Sequence, residues 1–317
     1  MKSHVIPEFY LKQFSFRKPN LKHYVWLYEK KKKPEPRWIH RAGREAGYFG
    51  VVMPDGTLEE SFESKLAVME HDCDDVLASA RSDLFHCSAR SRHKLAFYAA
   101  LLHSRATQRR EWTRRNWLEV NKQLDETLQD AEYVQALARH FTERHKKRFS
   151  GKRVRHDIKN LIEKHTSADG VRNYFVEQVL GYAELIKNLL LAKRIRIWKA
   201  PQGSQFVTSD NPLVSFVVRP NGRFAPGFGF NHKDTVGAFP IAPDACLLFG
   251  GDDPSERFYV DAKAVDEINW AVIGSADKYV PKLRMQTFKN FLKRSSAHID
   301  MAKRRSFLAA HCRISKT

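Results

Sequence analysis

A carboxylate and an amide at a turn, and a guanidinium on an apolar helical stripe, are the groups here whose types and spacing could do chemistry. Phe206-Val207-Thr208-Ser209-Asp210-Asn211-Pro212 ends a short apolar run in three turn-forming residues. Asp and Asn bond their own backbone and Pro fixes φ, so the turn holds a carboxylate and an amide at a strand end. An ordinary Asx turn has the same composition, so the turn alone defines no site. Upstream, Leu95, Tyr98, Leu102, Arg105, Arg109, Trp112 and Asn116 recur three and four residues apart on a helix beginning near Ser88. An unpaired buried guanidinium is costly, so Arg105 is expected to meet a carboxylate or to face a cavity that receives an anion. Asp210 is the candidate partner. An internal ion pair tying helix to sheet is the structural alternative.

The chain opens with His4-Val5-Ile6-Pro7-Glu8-Phe9-Tyr10-Leu11-Lys12-Gln13-Phe14. This opening, the helical Arg105 and the Ser-Asp-Asn-Pro turn, in that order, resemble the bacterial domain-of-unknown-function family 4238. The resemblance runs over most of residues 1–281 and includes Val25-Trp26-Leu27-Tyr28 and Glu267-Ile268-Asn269-Trp270. Two departures stand out: Val5-Ile6-Pro7 replaces an aromatic-Val-Pro, and Glu8 replaces a common amide. The resemblance joins His4, Tyr10, Arg105, Asp210 and Asn211 into one candidate catalytic group, which sequence spacing alone does not bring together. Imidazole moves protons near neutral pH, guanidinium grips phosphate, and a carboxylate orients imidazole. That inventory suits metal-independent phosphodiester cleavage, and also nucleotidyl or glycosyl transfer.

Three shorter patterns carry less. Pro243-Asp244 with Asp261-Ala262-Lys263 imitates metal-dependent nucleases. An antiparallel hairpin of 245–250 with 257–261 would let Asp244 and Asp261, with Lys263, share a divalent ion such as Mg²⁺ or Mn²⁺. A turn and a helix N-cap explain the same residues, and no metal is favoured over one. Arg81 to His86 has the Arg-x4-His spacing of helical ribonucleases of the HEPN class. His71, Asp72, Asp74 and Asp75 resemble metal ligands, yet consecutive helical residues point in different directions.

The formal charge is +19, from 55 Lys and Arg against 36 acids, which favours a polyanionic partner, nucleic acid first and an anionic membrane surface second. Arg109, Arg144, Lys147, Arg148, Lys152 and Arg153 are the candidate nucleic-acid contacts, the last five within the densest basic cluster. No stretch approaches the ~18 apolar residues of a membrane span, and Pro7 interrupts any signal-peptide core, so a cytoplasmic protein is expected. Cys73, Cys87, Cys246 and Cys312 form no Cys-x-x-Cys pair, which argues against a disulfide framework or zinc ribbon.

These residues need a scaffold, and 317 residues with 42% apolar content can build one. The expected fold is α+β in a single domain, a long helical centre packed on a small mixed sheet. Residues 1–56 read as strand and loop, 57–193 as helical, 194–293 as mixed, and 294–317 as a basic tail. Strands are expected at 23–29, 195–198, 204–208, 213–218, 245–250 and 257–261. Thr57-x-x-Glu60 reads as a capping box for a helix with Leu66, Cys73 and Val76 inward, and later helices are expected at 130–149, 153–165, from Val171, at 262–273 and at 283–293. Lys30 to Lys33 and the stretch 220–237 read as loops. The function expected from all this is a nuclease-like effector, in bacterial defence against mobile elements. The rivals are a non-catalytic nucleic-acid-binding or accessory subunit with a protein partner, and a nucleotide-dependent transferase.

Overall fold

The computed structural model describes residues 2–28, 34–82, 85–218, 224–251 and 257–276. The expected helix at 283–293, the basic tail and the lysine run lie outside them. The N-terminal part is a set of short elements: β1 (Lys2–His4), α1 (Glu8–Gln13), β2 (Phe16–Arg17), β3 (His23–Leu27), β4 (Glu35–Trp38), β5 (Arg44–Ala46), β6 (Val51–Val52) and β7 (Leu58–Glu59). Helices follow: α2 (Ser61–Ala80), α3 (Ala89–Ser104), α4 (Thr107–Thr127), α5 (Ala131–His145), α6 (Gly151–Thr166) and α7 (Ala168–Leu191). The last part contains β8 (Ile195–Lys199), β9 (Val214–Val218), β10 (Phe224–Pro226), β11 (Val236–Ala242), β12 (Ala245–Phe249), β13 (Arg257–Tyr259) and α8 (Ala262–Ser275). The fold is α+β, with no helix among the described residues long and apolar enough to cross a membrane.

The main sheet has the order β10-β9-β11-β12-β8-β13, antiparallel except between β8 and β13. β12 shows how the core is divided. Leu247 and Phe249 face the core shared with Tyr10, Leu95 and Tyr98, while Cys246 and Leu248 face Val265, Ile268 and Val272 of α8. A strand covered on both faces reads as a continuous apolar run, because its period of two no longer separates core from solvent. α3 is the other central element: seven of the eight residues from Leu95 to Leu102, all but Phe97, are buried, and its alanines admit α7 closely.

Five expectations are corrected here. Residues 57–60 do not cap α2: Thr57 bonds Asp55, Leu58 and Glu59 form β7, and Glu60 makes no side-chain cap. The stripe from Leu95 to Asn116 is not one helix, because α3 stops at Ser104 and Ala106 is extended, with φ −60° and ψ 145°, before α4. Residues 204–208 form no strand; Phe206 and Val207 instead donate to the Pro243 carbonyl and the Asn269 side chain. β13 does not pair with β12 but with β8, in parallel, so no hairpin joins them. The loop expected over 220–237 also contains β10 and leads into β11.

Candidate functional site

The residues nearest the N-terminus are placed by two turns. β1 and β5 pair with His4 opposite Arg44, and Gly43 before it has φ +68°. A Cβ on Gly43 would lie 3.2 Å from Ile6 Cβ, so glycine allows the close approach that lets Val5 N–H reach the Gly43 carbonyl at 2.8 Å. Pro7 then starts α1, which places Glu8 one turn beyond His4, and the turn after β4 contributes His40, whose ring lies 4.7 Å from that of Trp38.

Four polar side chains converge there. The Arg44 guanidinium donates through Nε to His4 Nε2 and through Nη1 to His40 Nε2, each at 3.0 Å. Arginine only donates, so both Nε2 atoms are lone-pair acceptors and both imidazoles are neutral as arranged. His40 Nδ1–H is thereby free to donate to Glu8 Oε2, at 3.0 Å. Burial pushes the His4 imidazole down to about 4, Arg44 adds to this, and Glu8 opposes it. Beside this group lies a cavity of about 250 Å³ whose polar lining is His4, Glu8, Glu63, Glu70, His71 and Asp74. With neither Lys nor Arg in the lining, and with only Glu70 paired from behind by Arg105, the carboxylates of Glu8, Glu63 and Asp74 make its interior attractive to cations.

Arg105 serves this site from behind. It is 1% exposed and caps the C-terminus of α3. Nε donates to the Val5 carbonyl at 2.9 Å, Nη2 to the His4 carbonyl and Nη1 to Glu70, and the guanidinium lies over Phe49. The carboxylate on Arg105 is therefore Glu70 of α2, a correction to the expected pairing with Asp210. Burial raises the Glu70 carboxyl above its ordinary range, with Arg105 pulling the other way. Arg105 holds the backbone that carries His4.

The remaining members of the expected group are interior. Tyr10 is 1% exposed, stacks on Phe239, and its hydroxyl bonds both Thr208 Oγ1 and the Pro240 carbonyl at 2.6 Å. Asp210 accepts from the Thr107 hydroxyl at 3.3 Å, and Asn211 joins Gln108 and His103 at 3.0 and 3.1 Å. The turn thus fastens the break between α3 and α4. Of the five, only His4 lines the cavity.

The other candidates also find places. Asp244 accepts from Lys199 at 3.5 Å and Asp261 caps α8 through Ala264 N–H, with Lys263 exposed. With β8 between their strands, the two carboxylates stand about two strand spacings apart, ~10 Å, too far to share an ion. Arg81 follows the end of α2, where its side chain bonds Gln13, so the Arg-x4-His spacing is not helical. Arg109 is packed between Trp112 and Tyr182, at 4.9 and 4.7 Å from their rings. Arg144, Lys147, Arg148, Lys152 and Arg153 are exposed around the turn from α5 to α6.

His40, Arg44, Glu63 and Glu70 escaped the sequence reading. Glu63, Glu70, His71 and Asp74 do follow helical spacing, seven, eight and eleven residues on from the first, so a polar stripe beside the apolar one was available as a signal. His40 and Arg44 sit in a turn without periodicity. No curated protein and no solved structure matches the chain. A family profile described as "Protein of unknown function (DUF4238)" matches residues 2–283, and the chain belongs to that family.

Proposed function

We propose that the protein is a nuclease-like hydrolase acting on nucleic acid, with its reaction centre where His4, Glu8, His40 and Arg44 meet. The observation that carries this reading is the shared guanidinium: Arg44 lies 3.0 Å from each of two neutral imidazoles, one of them oriented by Glu8. A carboxylate-oriented imidazole takes a proton from attacking water at neutral pH and, as the imidazolium so formed, returns it to the leaving oxygen, while a guanidinium grips phosphate. The exposed basic side chains between α5 and α6 supply non-specific attraction for a phosphate backbone. Such an effector would act on RNA or DNA in the cytoplasm, as expected for bacterial defence.

A second reading, a non-catalytic nucleic-acid-binding or accessory protein, is favoured by the interior positions of Tyr10, Asp210 and Asn211. Incubating the full chain with total RNA, plasmid and single-stranded DNA, with and without divalent cations, separates the two. Under the hydrolase reading at least one substrate is cut, and His40→Gln lowers turnover at least 100-fold with an unchanged melting temperature. Binding without cleavage under every condition supports the accessory reading instead.

A further inference from the structure

The acidic cavity poses a difficulty for any phosphate approaching Arg44, since Glu8, Glu63 and Asp74 repel it while Glu70 is spent on Arg105. A bound cation would remove that repulsion. One ligand atom from each of His4, Glu8 and His40, beside the cavity, lies within 4.8 Å of the other two. Glu8 Oε2 is 3.0 Å from His40 Nδ1 and 3.9 Å from His4 Nε2. Ligands at about 2.0–2.1 Å in a tetrahedron stand about 3.3 Å apart, so these two edges need shifts of only about 0.3 and 0.6 Å to reach ligand spacing. The Glu8 and His40 side chains are 42% and 40% exposed and have room to make them. A second observation points the same way: Glu63 Oε2, in the adjoining wall, is shielded from solvent and has no hydrogen-bond partner.

We infer that His4, Glu8 and His40 form a binding site for a divalent transition metal of the zinc type, and that Arg44 is its built-in competitor. Two imidazoles and one carboxylate suit Zn²⁺ and its neighbours, whereas Mg²⁺ and Ca²⁺ take oxygen ligands. The Arg44 guanidinium occupies the lone pair on His4 Nε2 that an ion needs, so metal entry requires that arginine to swing away. The ion also takes the place of the proton that His40 Nδ1 shares with Glu8; with Arg44 swung away, that proton moves to His40 Nε2 and the ring binds as a neutral imidazole. The ion's part in catalysis rests on the hydrolase reading: a bound metal activates water and polarises a phosphate oxygen, taking over from the imidazoles, and frees Arg44 to hold phosphate. Binding itself does not depend on that reading.

The test titrates Zn²⁺ into chelator-stripped full-length protein by calorimetry. One ion per chain is expected. Glu8→Gln and His40→Gln should each weaken binding at least 100-fold, and Arg44→Gln should tighten it about tenfold by removing the competitor. If neither wild type nor Arg44→Gln binds Zn²⁺, or if His40→Gln and Glu8→Gln bind as the wild type does, the site is refuted. Should a variant fail to fold, a Zn²⁺-dependent rise in the wild-type melting temperature together with tighter binding by Arg44→Gln still supports the site, and absence of both refutes it. Nuclease assays on the same preparations keep the two ideas apart. Zn²⁺ binding without cleavage of RNA, plasmid or single-stranded DNA supports the site and removes the hydrolase reading, while cleavage that survives exhaustive chelation with no detectable Zn²⁺ binding does the reverse.

Discussion

Arg105 and Arg44 reach the same short N-terminal strand from two sides, and they differ in what they touch. Arg105 spends its donors on two backbone carbonyls and a carboxylate, groups that hold a structure together. Arg44 spends its donors on two imidazole lone pairs, which can also take a proton or a metal ion. The chemistry of an arginine therefore follows from its partners. Buried and saturated, it positions; partly exposed and on titratable partners, it can be displaced by substrate or ion.

The comparison is broken most directly by stability. Arg105→Met leaves Glu70 buried without its counter-charge and releases the carbonyls of His4 and Val5, so a loss of about 3–5 kcal/mol is expected in urea unfolding. Arg44→Gln, at a partly exposed position, should cost below about 1 kcal/mol. Equal losses for the two variants would erase the distinction between positioning and functional arginine.

A second contrast concerns histidines. His103 is pushed down from 6.5 to about 4, first by burial and then by Arg109, while its bonds to Asn211 and the Leu213 backbone oppose the shift. The folded form therefore resists protonation more than the unfolded chain does. Its contribution is fully present above pH 6.5 and is lost as pH falls toward 4, on the order of 3 kcal/mol in all. His103→Gln should flatten that part of the stability profile relative to wild type. A wild-type profile that coincides with the variant's between pH 4 and 6.5 would show that His103 is protonated in the fold.

Much of the scaffold was legible because local chemistry and final structure agree. Ser88, Asp130, Ser150 and Asp261 each accept a backbone N–H at a helix start, and the corresponding helices begin where the sequence places them, except that the one after Ser150 starts at Gly151, two residues before the expected 153. β11 was not legible, because Pro240 argues against a central strand; the structure accommodates it beside a register shift and uses its carbonyl to hold Tyr10. The break after Arg105 was hidden because the apolar stripe continues across it. What ends α3 is a set of long-range contacts, to His4 and Val5 on one hand and through Tyr48 to the Arg105 carbonyl on the other. The site was half visible for the same reason. His4 belongs to a recognisable motif, whereas His40 and Arg44 acquire meaning only once β1 lies beside β5.

The smallest effect on folding, and the sharpest on binding, is expected at the basic turn between α5 and α6. Arg144, Lys147, Arg148 and Lys152 are exposed and touch little, so neutralising all four should leave the melting temperature within a few degrees of wild type. Each that meets a phosphate adds about 0.9 to the slope of affinity against salt on duplex DNA, so the quadruple variant should lose up to about 3–4 units of that slope. Arg109 gives the control. Stacked between two aromatic rings, Arg109→Gln should lower stability and leave the salt slope nearly unchanged, although its sequence position suggests a phosphate contact. Fluorescence anisotropy at several salt concentrations, paired with thermal melts, reads both. A slope that falls for Arg109→Gln and holds for the quadruple variant would move the nucleic-acid surface from the α5–α6 turn to the α4–α7 face.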